Sequence, residues 1–109
     1  MRLGEGRRSE RVLVDVPVLI RGRSIGESGF QEETFTVTVS AHGAMVMLAA
    51  NVAIGQTITL ISLKNSAERD CRIAYKGPNH AGLAKVGLEF SEPSPEFWPV
   101  DVPASWGPA

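Results

Sequence analysis

Two short runs in this chain have residue types and spacing suited to chemistry. The first is Arg7-Arg8-Ser9-Glu10-Arg11, three guanidinium groups within five residues. A guanidinium is a planar fork of N–H donors that meets a phosphate or a base edge through paired bonds, which a lysine ammonium does not. The second is Thr38-Val39-Ser40-Ala41-His42-Gly43, with hydroxyls on alternate residues and a glycine at its end. A hydroxyl both donates and accepts, and a glycine permits a tight turn and close backbone approach. Taken alone, the first run also reads as a solvated arginine-rich tail. Its meaning depends on whether the fold brings the two runs together.

Signatures of catalysis are missing. No G-x-x-x-x-G-K, G-x-G-x-x-G, H-E-x-x-H or G-x-S-x-G occurs. Ser28 lies in a glycine-rich turn, and neither His42 nor His80 has a recognisable Ser or Cys partner. Cys71 falls on the apolar parity of its segment, as a small core residue would. One cysteine and two histidines are too few for a dedicated zinc cluster. The chain is therefore expected not to be an enzyme and to carry no metal.

At 109 residues, 43% of them hydrophobic and 21% charged, the sequence is that of one folded domain. A formal charge of −1 argues against a general DNA or RNA binder, which needs a basic surface. The charge is unevenly placed. Arg7, Arg8, Arg11, Arg21 and Arg23 crowd the front of the chain, opposed there by Glu10 and Asp15. No cation follows Lys85, while Glu89, Glu92, Glu96 and Asp101 do. The front can attract an anion and the back cannot. No apolar run is long enough to span a membrane, and the first residues lack the apolar core of a secretion signal. A lone cysteine excludes an internal disulfide and suggests a reducing compartment, so a cytoplasmic protein without membrane insertion is expected. The Met1 start and proline-rich finish are compatible with a stand-alone chain.

Strands must position the two runs. In 12–20, VLVDVPVLI, residues Val12, Val14, Val16, Val18 and Ile20 share one face, leaving Arg11 and Arg21 on the other. Pro17 cannot donate to a ladder and belongs at an edge or a bulge. Residues 22–29 read as a loop. In 34–40, TFTVTVS, alternation predicts Phe35, Val37 and Val39 inward and Thr34, Thr36, Thr38 and Ser40 outward. Further strands are expected at 44–48, 56–63, 67–75 (with Cys71, Ile73 and Tyr75 inward) and 83–90, with a turn at 76–82. Six short strands without a helical stripe predict an all-β, six-stranded antiparallel barrel over 12–90, since closure removes the open edges. Residues 1–11 form an arginine-rich segment before it. Residues 91–109 hold five of the seven prolines and both tryptophans, and are expected to pack on the barrel as a tail, because Phe97, Trp98 and Trp106 are costly to leave in water. If the first two strands pair, the arginines and hydroxyls meet on one outer patch.

On these residues the chain resembles the PilZ domains, bacterial receptors for cyclic di-GMP. Their hallmark is R-x-x-x-R just before the first strand, matched by Arg7 to Arg11, and then [D/N]-x-S-x-x-G, matched at Ser40 and Gly43 but with Thr38 in the acidic or amide position. The segments GQTITL at 55–60 and VGLEF at 86–90 resemble the family's fourth strand and closing strand, so the resemblance covers about residues 7–90. It implies that Arg7, Arg8 and Arg11 grip phosphate and guanine from a mobile segment that wraps the ligand. It implies that Thr38 and Ser40 bond the ligand from the other side and that Gly43 allows close approach.

The expected function is a cyclic di-GMP-binding effector that signals to a protein partner through ordering of its arginine segment. The alternative is a degenerate PilZ-like interaction domain that binds no nucleotide, because Thr38 offers a shorter, uncharged acceptor. A small oligonucleotide-binding barrel is disfavoured by the charge and by a single tyrosine, Tyr75, on an inward parity.

Overall fold

The alternating apolar pattern forms seven strands in the residues that the computed structural model describes, 10–23 and 29–100. They are β1 (Val12–Leu13), β2 (Pro17–Arg23), β3 (Gly29–Ser40), β4 (Gly43–Leu48), β5 (Thr57–Ser62), β6 (Glu68–His80) and β7 (Leu83–Phe90). All pairings are antiparallel. The order β3-β2-β5-β6-β7-β4 returns through a β3–β4 pairing to its start, so six strands close into a barrel. β1 extends the β2 side of β3, with Val12 opposite Val39 and Leu13 opposite Thr38.

The expected first strand is thus divided at 14–16, and the reason is local. Pro17 begins β2, where its missing N–H leaves no gap in the ladder. Ahead of it, the Thr36 hydroxyl takes over the backbone bonding. Its Oγ1 accepts from Val16 N at 2.8 Å and donates to Val14 O at 2.7 Å. Thr36 is buried at 2% exposure.

That role overturns part of the predicted facing of β3. The register against β4 slips between Thr36 and Thr38, a bulge centred on Val37. A bulge inserts one residue and reverses parity beyond it. Thr36 and Val39 consequently both point inward, whereas Phe35 (56% exposed) and Val37 (38%) face out, contrary to expectation. Thr38 and Ser40 remain on the outer side, half-buried. A second slip, between Ile73 and Tyr75 on β6, corrects another expectation: Cys71 and Ile73 are core residues, but Tyr75 is 46% exposed. β6 also runs on to His80 instead of turning at 76–82. It reverses through Ala81 and Gly82 alone, both at positive φ (55° and 87°), as two-residue hairpins require. Of the expected loop 22–29, Gly22, Arg23 and Gly29 belong to strands, and 24–28 lie outside the described residues.

Inside, every strand of the ring contributes, with Val18, Ile20, Val39, Val46, Leu60, Ile73 and Val86 at 0–1% exposure. The tail closes one end. Its short 3-10 turn, Pro95–Phe97, delivers Phe97 and Trp98 against Phe90, with ring centroids 4.8–6.0 Å apart. Both are almost fully buried, each contributing on the order of 3 kcal/mol of apolar transfer. Asn65 Nδ2 donates to Phe97 O at 3.2 Å, and Arg69 pairs with Glu96 at 3.0 Å, fastening the turn to the β5–β6 connection. Trp106 lies outside the described residues.

Candidate functional site

The run Thr38 to Gly43 forms the tip of the β3–β4 hairpin, with Ser40 paired to Gly43 and two residues, Ala41 and His42, at the turn. Gly43 is required by contact. β7 crosses beside it, and a Cβ built there would lie 1.8 Å from the Leu88 carbonyl oxygen. The Ser40 Oγ accepts from His42 N at 3.1 Å, which tightens the turn and leaves its O–H as a donor. The three consecutive carbonyls at 40, 41 and 42 accept from Trp98 Nε1 (2.9 Å), Ser94 N (2.8 Å) and Phe90 N (2.8 Å). The tail therefore holds the hairpin tip from behind.

In front of the tip is a shallow cleft of about 200 Å³. The β1–β3 register sets Val12 opposite Val39, which brings Arg11 level with Ser40. Arg11, Thr38, Ser40 and Gly43 all line the cleft, and Arg11 is exposed. Arg7 and Arg8 lie outside the described residues. Lining residues that were not foreseen include Met45, Tyr75 and Glu89. Tyr75 reaches the cleft because of the β6 bulge and stands opposite Gly87, where an added Cβ would come within 3.1 Å of the Tyr75 Cβ, while its ring lies against Gly77. Simple alternation assigns Tyr75 to the core, so only knowledge of the bulge would have revealed it. Its exposure also removes one of the two objections to oligonucleotide binding, and the charge remains as the other. Glu89 forms the far wall, 2.6 Å from Arg72 Nη2.

The cleft combines a guanidinium, two hydroxyls, an aromatic ring and a carboxylate. It can take an anion and a polar aromatic group side by side. Cys71 is not part of it. Burial, helped by the neighbouring charge of Asp70, pushes that thiol up to about 12, so it is protonated at neutral pH and a poor nucleophile. Among the described residues, no cluster of three or more His, Cys, Asp or Glu side chains is arranged to hold a metal ion, and no helix is long and apolar enough to cross a membrane.

Comparison with known proteins finds no match among curated sequences. Among solved structures, the chain is similar to the Bacillus subtilis inhibitor of motility MotI/DgrA, at 21% identity and a TM-score of 0.63. That match covers 86% of this chain and 46% of the other, so this chain spans about half the length of its neighbour, and the likeness is one of fold. The sequence profile of the PilZ domain matches residues 5–97. With both hallmark runs inside that span and the barrel built around them, the chain belongs to the PilZ domain family.

Proposed function

We propose that this protein is a cyclic di-GMP receptor module without catalytic activity, acting in the cytoplasm through a protein partner. Domains of this family are generally receptors for that messenger. The observation that carries the reading is the shared cleft of Arg11, Thr38, Ser40 and Gly43, residues drawn from two separate runs of sequence.

Cyclic di-GMP presents two phosphates and two guanines. The Arg11 fork suits a phosphate or the O6 and N7 acceptors of guanine. The Ser40 O–H can donate to a ligand acceptor, and the exposed Tyr75 ring offers a stacking face. The cleft is smaller than the roughly 300–1,000 Å³ of pockets that enclose drug-sized ligands. In this reading Arg7 and Arg8 complete it from the N-terminal segment, and the ordering of that segment is the signal a partner reads.

Calorimetric titration of the pure protein with cyclic di-GMP tests this directly. Binding heat with the wild type, abolished in Arg7→Ala and Arg11→Ala, is the expected result. One feature favours the second reading, a PilZ-type interaction domain without nucleotide: Thr38 replaces the usual carboxylate or amide. Silence in every titration would support that reading and overturn the receptor reading.

A further inference from the structure

The hairpin tip that presents Ser40 and Gly43 to the cleft is held by one short segment, residues 90–98. The carbonyls of Ser40, Ala41 and His42 accept from Trp98 Nε1 at 2.9 Å, Ser94 N at 2.8 Å and Phe90 N at 2.8 Å. The same segment is fastened elsewhere to the β5–β6 connection and the start of β6. There Asn65 Nδ2 donates to Phe97 O at 3.2 Å, and Arg69 meets Glu96 at 3.0 Å. It runs as a strap from the hairpin tip to a different pair of strands, and none of its residues lines the cleft.

Of the three grips on the tip, the indole one differs in kind. Phe90 and Ser94 give backbone N–H groups, which any residue but proline supplies. Trp98 gives a side-chain N–H, a donor that phenylalanine lacks. Its ring is 3% exposed and meets Phe97 edge-on at 4.8 Å between centroids. A phenylalanine there would fill most of the same space and keep that packing. A buried indole N–H needs an acceptor in any fold. Here the acceptor is the carbonyl of a cleft-lining residue, on the peptide that opens a two-residue turn. The orientation of that peptide sets where the Ser40 side chain and the Gly43 backbone stand.

We infer that Trp98 is a positioning residue of the cleft. Its indole N–H holds the hairpin tip in the shape that accepts the ligand, so that ligand occupancy and docking of residues 90–98 stabilise each other. The inference rests on the cyclic di-GMP reading above and adds a second route by which binding is sensed, at the tail and not only at the arginine segment. The linkage is reciprocal: a tip loosened by loss of the indole bond binds less tightly, and a bound ligand holds the tail more firmly.

Calorimetric titration of the full chain with cyclic di-GMP tests it, comparing wild type, Trp98→Phe and Ile20→Val. Ile20 is a fully buried β2 residue that makes none of these bonds and does not line the cleft, so its variant is the control for a general loss of stability. Thermal melts check that both variants are folded at the titration temperature. The expected result is about tenfold weaker binding in Trp98→Phe and wild-type affinity in Ile20→Val. Wild-type affinity in Trp98→Phe overturns the inference and leaves the receptor reading intact. So does equal weakening in both variants, which is what a general loosening of the fold would produce. Should Trp98→Phe fail to fold, the NMR signal of the Trp98 indole N–H decides, read in Trp106→Phe so that one of the two indoles remains. Saturation with cyclic di-GMP shifts that signal if the bond to Ser40 takes part in binding, and an unmoved signal overturns the inference. A wild type silent toward the ligand ends the receptor reading and this inference together.

Discussion

The indole Nε1 of Trp98 donates to the carbonyl oxygen of Ser40 at 2.9 Å, joining residues 58 positions apart. Backbone N–H groups of Ser94 and Phe90 take the next two carbonyls, so the hairpin tip and the aromatic segment behave as one piece. The aromatic trio of Phe90, Phe97 and Trp98 plugs the barrel end and also supports the turn that presents Ser40 and Gly43. A displacement of the tip on ligand binding must either break these bonds or carry residues 90–98 with it.

Trp98→Phe separates the two roles of this residue. The ring packing largely survives, but the Ser40 carbonyl loses its donor in a half-buried setting. The expected loss is about 1–3 kcal/mol, read as a lower urea midpoint with an unchanged slope. Trp98→Ala also removes the ring and should lose about 3–5 kcal/mol. Equal stability of Trp98→Phe and wild type would show that the bond to Ser40 contributes nothing.

Thr36→Val keeps the shape of a buried side chain and deletes its oxygen. Val16 N and Val14 O then lose their partner at the break between β1 and β2. Destabilisation of about 2–4 kcal/mol is expected, against only about 1 kcal/mol for Thr36→Ser, which loses a methyl and retains both bonds. Chemical denaturation of the pair decides it, and a Val variant as stable as the Ser variant contradicts the assignment.

Thr36 also shows where sequence reading stops. Strict alternation exposed the barrel, its closing strand with Ala84, Val86, Leu88 and Phe90 inward, and the outward placement of Thr38 and Ser40. It misplaced Phe35, Val37 and Tyr75, because each bulge adds one residue and no composition signal marks Val37 or Ala74 as the extra one. Within the site, the motif spacing pointed to Arg11, Ser40 and Gly43. Tyr75 and Glu89 come from strands paired late in the sequence, and only the register brings them to the same cleft. Glu89 looked like any outward charge on an alternating strand.

Cys71 gives the fold a pH dependence in alkali. Burial, with the Asp70 charge, raises its pKa from 9.0 to about 12. Above pH 9 the unfolded chain releases this proton and the native one retains it, so the unfolded state binds fewer protons and stability falls as pH rises. The contribution is fully present below pH 9 and is lost between pH 9 and about 12, amounting to about 2 kcal/mol at pH 10.5. Cys71→Ala removes this slope. Denaturation curves of both proteins at pH 8 and pH 10.5 should show the wild type losing about 2 kcal/mol more than the variant. Parallel losses would mean that the thiol ionises as readily folded as unfolded. The same protonation predicts slow labelling of native Cys71 by thiol reagents at pH 7, accelerating on addition of denaturant.

Thr38→Asp examines the departure from the family motif. Thr38 lines the cleft beside Arg11 and Ser40, half-buried on the outer side of β3. Its hydroxyl is a short, neutral acceptor, whereas an aspartate there extends a charged one toward the ligand. A charge-assisted bond exceeds a neutral one by about 1 kcal/mol or more, so cyclic di-GMP should bind roughly tenfold more tightly to the variant. The added carboxylate faces the same dianion, and that repulsion is eased by Arg11 in the cleft. The two effects separate by base: tightening confined to cyclic di-GMP indicates an acceptor for guanine, and weakening toward every cyclic dinucleotide indicates net repulsion and contradicts the prediction.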